Sequence, residues 1–116
     1  MSEHSKAPST AETTEAAREL LKSSGLSTAQ IGRLTGTSAR SVHSWASGTV
    51  LSPARAKRLM ELHELVFSLD ASSPAARLAL MLDSSRGQSL FHRFHAATPR
   101  PQQIQFPIPV MERLGA

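Results

Sequence analysis

The sequence predicts an all-α fold, a bundle of about five short helices with brief connectors between them. From residue 9 to residue 83, apolar residues recur three and four positions apart, which is the spacing of one helix face. Glycines and Ser-Pro pairs interrupt this pattern where such helices would begin or end. The chain has 116 residues, of which 40% are hydrophobic and 4% aromatic, so we expect one domain with a compact aliphatic core.

Two capping boxes mark the starts of the first two helices. Ser9 stands three residues before Glu12, and Ser27 stands three residues before Gln30. Gly25 lies between these segments and is expected to end the first helix in a left-handed turn. The inward residues of the two helices are predicted to be Ala16, Ala17, Leu20, Leu21, Ile31 and Leu34.

A third helix is predicted between two glycines. Gly36 stops the second helix, Ser38 can cap the third, and Gly48 ends it. Val42 and Trp45 are the large apolar residues of this segment and are three positions apart, so they form one narrow inward stripe. Most of the surface of this helix is therefore left for another partner.

The next helices begin at Ser-Pro pairs, because proline is well tolerated at the first position of a helix. Ser52-Pro53 and Ser73-Pro74 are these start signals. The fifth helix is nearly apolar all round, so it needs cover on more than one side. The predicted faces are Leu59, Leu62, His63 and Val66 in the fourth helix, Ala75, Leu78, Ala79 and Leu82 in the fifth, and Leu90, Phe91 and Phe94 in a further short helix.

Residues 1–8 are small, polar and aperiodic, and we expect a disordered arm there. Residues 9–83 form the predicted helical domain, and residues 84–116 form an extension. Within this extension, the apolar residues of 104–110, "IQFPIPV", alternate as in a strand. Its two prolines remove donors from one edge only, which is typical of an edge strand. A polyproline-like arm and disorder are the alternatives for this segment.

The charge is concentrated. Thirteen Lys and Arg and nine Asp and Glu give a formal net charge of +4, but no acidic residue lies between Glu19 and Glu61. Such a span favours a polyanionic partner, nucleic acid above all, although a solvated face is the alternative. The basic residues of the span are Lys22, Arg33, Arg40, Arg55, Lys57 and Arg58.

Residues 26–48, "LSTAQIGRLTGTSARSVHSWASG", resemble the DNA-binding segment of lambda-repressor-like, XRE-type regulators. The "SPARAKRLMEL" that follows resembles the fourth helix of that family, and the likeness covers about residues 12–83. Gly32 stands where the family usually has alanine, at a cost of about 0.5–1 kcal/mol of helix propensity. The resemblance is carried by an ordered set of residues, namely Ser27, Ile31, Gly36, Ser38, Val42, Trp45 and Gly48.

The resemblance implies a helix-turn-helix whose third helix begins in the major groove of DNA. It places Ala39, Arg40, Ser41 and Ser44 at the base-reading positions. Arg40 can contact guanine through two hydrogen bonds, whereas the serines specify less and the Ala39 methyl group suits a thymine methyl. A purely solvated role stays open for Arg40. The expected phosphate contacts are Thr28, Arg33, Ser38, His43, Arg55, Lys57 and Arg58.

The fifth helix is expected to pack on the fourth with one side and to form a dimer interface with the other. The alternative is that residues 88–96 fold back and cover it within one chain. The residues assigned to oligomerisation are Leu80, Leu90, Phe91, Phe94, Ile104, Phe106, Ile108 and Val110.

Other chemistry is sparse. The sequence has no cysteine, no apolar run near the ~18 residues of a membrane span and no hydrophobic leader, so a cytoplasmic protein is expected. No motif of a nucleophile, phosphate loop or paired carboxylates appears. His92 and His95 alone make a weak metal site. We therefore expect neither an enzyme, nor a metal, nor a cofactor.

These observations predict a sequence-specific DNA-binding transcriptional regulator, a repressor that acts as a dimer on a two-fold operator. The alternative is an antitoxin or adaptor of a two-protein module. Such a protein would bind a toxin-like partner through residues 70–116 and regulate its own synthesis through DNA binding.

Overall fold

A computed structural model describes residues 8–97 and shows an all-helical bundle. Within this range no residue lies in a β-strand, so the predicted fold class is confirmed. The predicted strand at 104–110 lies outside the described residues, as do most of the arm and the four tail residues assigned to oligomerisation. The helices are α1 (Thr10–Ser23), α2 (Thr28–Thr35), α3 (Ala39–Ala46), α4 (Pro53–Phe67), α5 (Pro74–Leu82) and α6 (Leu90–Ala96).

The two capping boxes form as the sequence predicts. The backbone N–H of Glu12 donates to the hydroxyl of Ser9 at 3.1 Å, and the N–H of Ser9 donates to the Glu12 carboxylate at 2.8 Å. The Ser27 and Gln30 pair repeats this exchange with the same two distances. Each box satisfies N–H groups that have no partner inside the helix, which fixes where α1 and α2 begin.

The core is aliphatic and lies where the helix stripes of α1 to α4 meet. Trp45 is 5% exposed and belongs to this core, so its ring is not available as a stacking platform. Burial of these side chains is the main stabilising contribution, at about 1.5–3 kcal/mol for each large aliphatic residue. The fully buried members include Leu20, Ile31, Leu34, Val42, Leu59, Leu62 and Val66.

The apolar face predicted for α5 does not pack against the core as a unit. Met81 is fully buried and Leu78 is half-buried, whereas Ala75, Ala79 and Leu82 are exposed. The start of α5 lies against Gly25, where a β-carbon would come within 2.1 Å of the Pro74 carbonyl oxygen. That approach, with Gly25 at φ +84°, fixes the rotation of α5 and turns the alanine face outward.

Helix α6 folds back onto its own chain, where it packs against α2 and α5. Leu90, Phe91 and Phe94 are partly buried and pack against the core. This packing is the fold-back within one chain that was the alternative, and the assignment of these residues to a dimer interface stays a prediction. Leu80 and Leu82 of α5 remain 38% and 45% exposed.

None of the helices in the described range is both long and apolar enough to cross a membrane.

Candidate nucleic-acid interface

A three-residue turn joins α2 to α3. Gly36 adopts φ +81°, a left-handed conformation that glycine takes without strain. The N–H of Thr37 then donates to the Gly32 carbonyl oxygen at 2.7 Å, which closes the end of α2 in a Schellman-type motif. The Ser38 hydroxyl accepts from the N–H of Ser41 at 3.2 Å and caps α3. The turn is thus fixed on both sides by main-chain groups.

Gly32 lets the turn pack tightly on α2. Its α-carbon lies directly against the backbone of Thr37 and Ser38, where a side chain would have no room. Gly32 stands where the family that the sequence resembles usually has alanine, and this contact gives a physical reason for the glycine.

Helix α3 buries one stripe and leaves the rest accessible. Val42 and Trp45 are buried, while Arg40 and His43 are exposed. The other three residues assigned to the outward face are half-buried, which leaves part of each side chain accessible. These are Ala39, Ser41 and Ser44. The start of α3 therefore presents one free guanidinium among small side chains, a surface that can enter a groove without steric obstruction.

The structure gives Arg55 an intramolecular role. Its Nη1 donates to the carbonyl oxygens of Thr35 at 2.7 Å and Gly36 at 3.1 Å. These carbonyls lie at the C-terminal end of α2, where the helix dipole favours a cation. Arg55 thereby holds the turn from α4, which differs from the free phosphate clamp that the sequence suggested.

Arg58 also makes intramolecular contacts, and it makes more of them than Arg55. Its Nε donates to the Leu34 carbonyl oxygen at 3.2 Å, its Nη2 donates to the Phe94 carbonyl oxygen, and its guanidinium lies 3.6 Å from the centre of the Phe94 ring. The Glu61 Oε1 atom lies 3.6 Å from Nη1 of Arg58 and forms an ion pair with it. Burial lowers the pKa of Arg58 and Glu61 opposes this shift, so the group stays charged. Arg58 links α2, α4 and α6 instead of reaching outward to a phosphate.

The predicted contact residues that remain accessible lie on or next to α2, α3 and α4. Arg33 and Lys57 are exposed, as are Arg40 and His43, while Thr28 is half-buried at the first position of α2. Ser38 is exposed as well. Among the residues predicted to contact DNA, these have side chains that form no hydrogen bond to a distant part of the described chain.

No protein-family model, curated protein or solved structure matches this chain. The candidate interface is therefore argued from the geometry and chemistry of its residues alone.

Two arginines that the sequence reasoning missed hold the bundle in the same way as Arg55. Arg18 donates from Nε to the Ala46 carbonyl oxygen at 2.8 Å, at the end of α3. Arg77 donates from Nη1 to the Ser23 carbonyl oxygen at 2.6 Å, at the end of α1. No local pattern signals these contacts, because each arginine bonds to a carbonyl at least 28 positions away.

The two histidines of α6 gain no further ligand. In residues 8–97, no three His, Cys, Asp or Glu side chains come together in a group that could hold a metal ion. His92 and His95 are exposed.

Proposed function

We propose that the protein is a sequence-specific DNA-binding regulator that reads its site with the start of α3. One observation carries the proposal. An exposed Arg40 lies near the start of a helix that follows a hydrogen-bonded three-residue turn, in a stretch of chain without any acidic residue from 20 to 60. Such a helix fits the width of the DNA major groove, and its charge suits the phosphate backbone.

Arg40 supplies the sequence preference. A guanidinium can donate two hydrogen bonds to O6 and N7 of guanine, which discriminates against a wrong base by about 1–3 kcal/mol. Ala39 offers a methyl group for thymine contact, and Ser41 and Ser44 offer hydroxyls that accept or donate. The specificity of one protomer therefore concentrates on one G·C pair with weaker preferences beside it.

The remaining accessible side chains position the helix on the DNA backbone. Arg33, His43 and Lys57 contact phosphates and set the register without reading bases. We retain Thr28 and Ser38 beside them, because each lies at the start of a helix, where N–H groups favour an anion. Arg55 and Arg58 leave this set, since their guanidiniums bond to carbonyls at the end of α2. Their role is to keep the turn between α2 and α3 in place while α3 binds DNA.

One protomer reads few bases, so two copies on a two-fold site follow as part of the proposal. The outward face of α5, made of Ala75, Ala79 and Leu82, has no charged side chain and is the surface available for that pairing. We prefer this face to Leu80, Leu90, Phe91 and Phe94. The last three pack against the core of their own chain, and Leu80 lies on another side of α5. In this proposal the regulator acts as a repressor, because a protein bound over a promoter excludes the polymerase.

Selection of bound sequences from a random pool of duplex DNA tests the proposal. The full chain is expected to enrich one motif, with two inverted half-sites whose centres are one helical turn apart, about 34–36 Å. Arg40→Ala, selected in parallel, should lose the preference at one base pair of each half-site. Failure of the wild-type chain to enrich any motif at low salt would exclude the proposal.

A further inference from the structure

A groove with basic and apolar walls opens on the side of the molecule formed by α5 and α6. Its volume is about 710 Å³, which is large enough for several side chains of a ligand. None of its residues belongs to the predicted DNA-reading helix α3. The groove is lined by Leu69, Leu80, Asp83, Ser85, Arg86, Gln88, Leu90 and Arg93.

The apolar wall of the groove is partly solvent-exposed. Leu80 is 38% exposed, while Leu69 and Leu90 are half-buried with their inner sides against the core. On an ideal helix, positions 100° apart per residue place Leu80 about 140° from Ala75, so it points away from the Ala75, Ala79 and Leu82 face. The groove is thus a different surface from the one we assign to pairing of protomers.

The charged wall of the groove is basic. Arg86 and Arg93 line it, and within residues 8–97 neither guanidinium forms a hydrogen bond or an ion pair with another side chain. Asp83 contributes the one negative charge, and its carboxylate accepts from the N–H of Ser85 at 3.0 Å, which lowers the pKa of Asp83. Arg86 also lowers the pKa of Asp83 through its charge, so it partly offsets that carboxylate. Two arginines against one carboxylate still leave the groove with an excess of positive charge.

We infer that this groove binds a short acidic, leucine-bearing peptide segment of a different protein. Arg86 and Arg93 pair with its carboxylates, and Leu69, Leu80 and Leu90 receive its apolar side chains. A nucleic acid fits less well, because its phosphates would leave the leucine wall wet and would meet Asp83. The combination of apolar contact with charge complementarity is typical of peptide recognition by an amphipathic groove.

Among the described residues, a second copy of this chain offers few exposed large apolar side chains that could fill the groove. The large hydrophobic residues exposed there are Val50, Leu80 and Leu82. Leu80 lines the groove itself, and Leu82 lies on the face that we assign to pairing of protomers. The acidic face of α1, with Glu12, Glu15 and Glu19, carries no exposed leucine. We assign the groove to a segment of another protein, and self-association through the groove is the competing outcome of the test.

Selection from a displayed random-peptide library on the immobilised full chain tests this inference. We expect enriched peptides to carry Asp or Glu beside Leu, Ile or Phe. Their affinity, measured by fluorescence anisotropy, should fall by about tenfold or more for Arg86→Glu combined with Arg93→Glu. Arg33→Glu combined with Arg40→Glu makes the same charge change on α2 and α3 and should bind these peptides like the wild type. Circular dichroism and the urea midpoint verify that both double variants fold.

The inference fails if no peptide is enriched, if the enriched peptides are basic, or if they bind the Arg86 and Arg93 variant as well as the wild type. It also fails if the wild-type chain self-associates through the groove, seen as a dimer in sedimentation that the Arg86 and Arg93 variant abolishes. None of these readouts involves DNA, so they are independent of the proposed function.

Discussion

Gly32 and Ser38 lie in such close contact that a β-carbon on Gly32 would come within 2.8 Å of the Ser38 carbonyl carbon and 3.0 Å of its oxygen. The neighbouring atoms belong to the backbone of the turn, which cannot move without displacing α3. A glycine inside a helix is thus required by the way the turn packs against α2.

We predict that Gly32→Ala lowers the free energy of unfolding. Alanine contributes about 0.5–1 kcal/mol of helix propensity, but forcing a methyl group against backbone costs about 1–3 kcal/mol, so the net effect is a loss. Urea unfolding followed by circular dichroism measures it. Ala29→Gly, at an exposed position of the same helix, provides the propensity contribution alone. A Gly32→Ala variant more stable than the wild type would contradict the contact.

Arg58→Lys is expected to destabilise the protein by about 1–2 kcal/mol and to loosen α6. A lysine keeps the charge but lacks the planar fork that reaches Leu34 and Phe94 together and stacks on the ring. Hydrogen exchange of the α6 amides should accelerate more than that of α1. Arg33→Lys is the matched control, because Arg33 is exposed and surface exchanges usually change stability by less than about 0.5 kcal/mol. Equal exchange rates in α6 for both variants would refute the linking role.

Arg40→Ala is expected to relax specificity while leaving the fold unchanged. On the selected cognate site it should cost about 1–3 kcal/mol of binding free energy, and on DNA with the contacted G·C pair replaced it should cost much less. Anisotropy titrations on both duplexes give the comparison. Equal losses on cognate and replaced DNA would remove Arg40 from the base-reading role.

Lys57→Ala is expected to weaken all DNA sequences alike. An exposed lysine that neutralises one phosphate contributes about −0.9 to the slope of log K against log salt, so the slope should flatten by about that amount. Titrations between low and moderate salt on cognate and scrambled duplexes measure both slopes. An unchanged slope would show that Lys57 is only solvated, and Lys22→Ala serves as the control for a basic residue outside the predicted contact set.

Leu82→Glu is expected to disrupt pairing of protomers. It places a charge on the Ala75, Ala79 and Leu82 face of α5 without touching the core, because Leu82 is 45% exposed. Sedimentation at tens of micromolar should give a dimer for the wild type and a monomer for the variant. Leu80→Glu, at the other exposed leucine of α5, should leave the dimer intact. A wild-type monomer with and without DNA would exclude this interface.

Local signals were sufficient to predict where most helices begin and end. Each helix start in the described range has a capping serine, and Gly36 and Gly48 adopt the positive φ angles that end or follow a helix. These features depend on residues within four positions of one another, so the sequence shows them directly.

The rotation of α5 could not be predicted in the same way. A helix with apolar residues on nearly every side has no contrast from which an inward face can be chosen, and the choice was made by the contact of Pro74 with Gly25. The roles of Arg55 and Arg58 were equally inaccessible, because a cation that bonds to a distant carbonyl has the same local sequence as a cation in solvent. The exposed residues of α3 could be predicted, because Val42 and Trp45 are its only large apolar residues and therefore define its buried face.

The arginines that bond to helix ends have a practical consequence for preparing the protein. Contacts between a guanidinium and a main-chain carbonyl act over short range, so added electrolyte weakens them little, whereas phosphate contacts weaken steeply. A wash with concentrated sodium chloride should thus strip co-purifying nucleic acid from a resin-bound sample and leave the chain native, with no refolding step. The eluted material can be checked by its absorbance ratio at 260 and 280 nm, for which Trp45 is the single tryptophan chromophore.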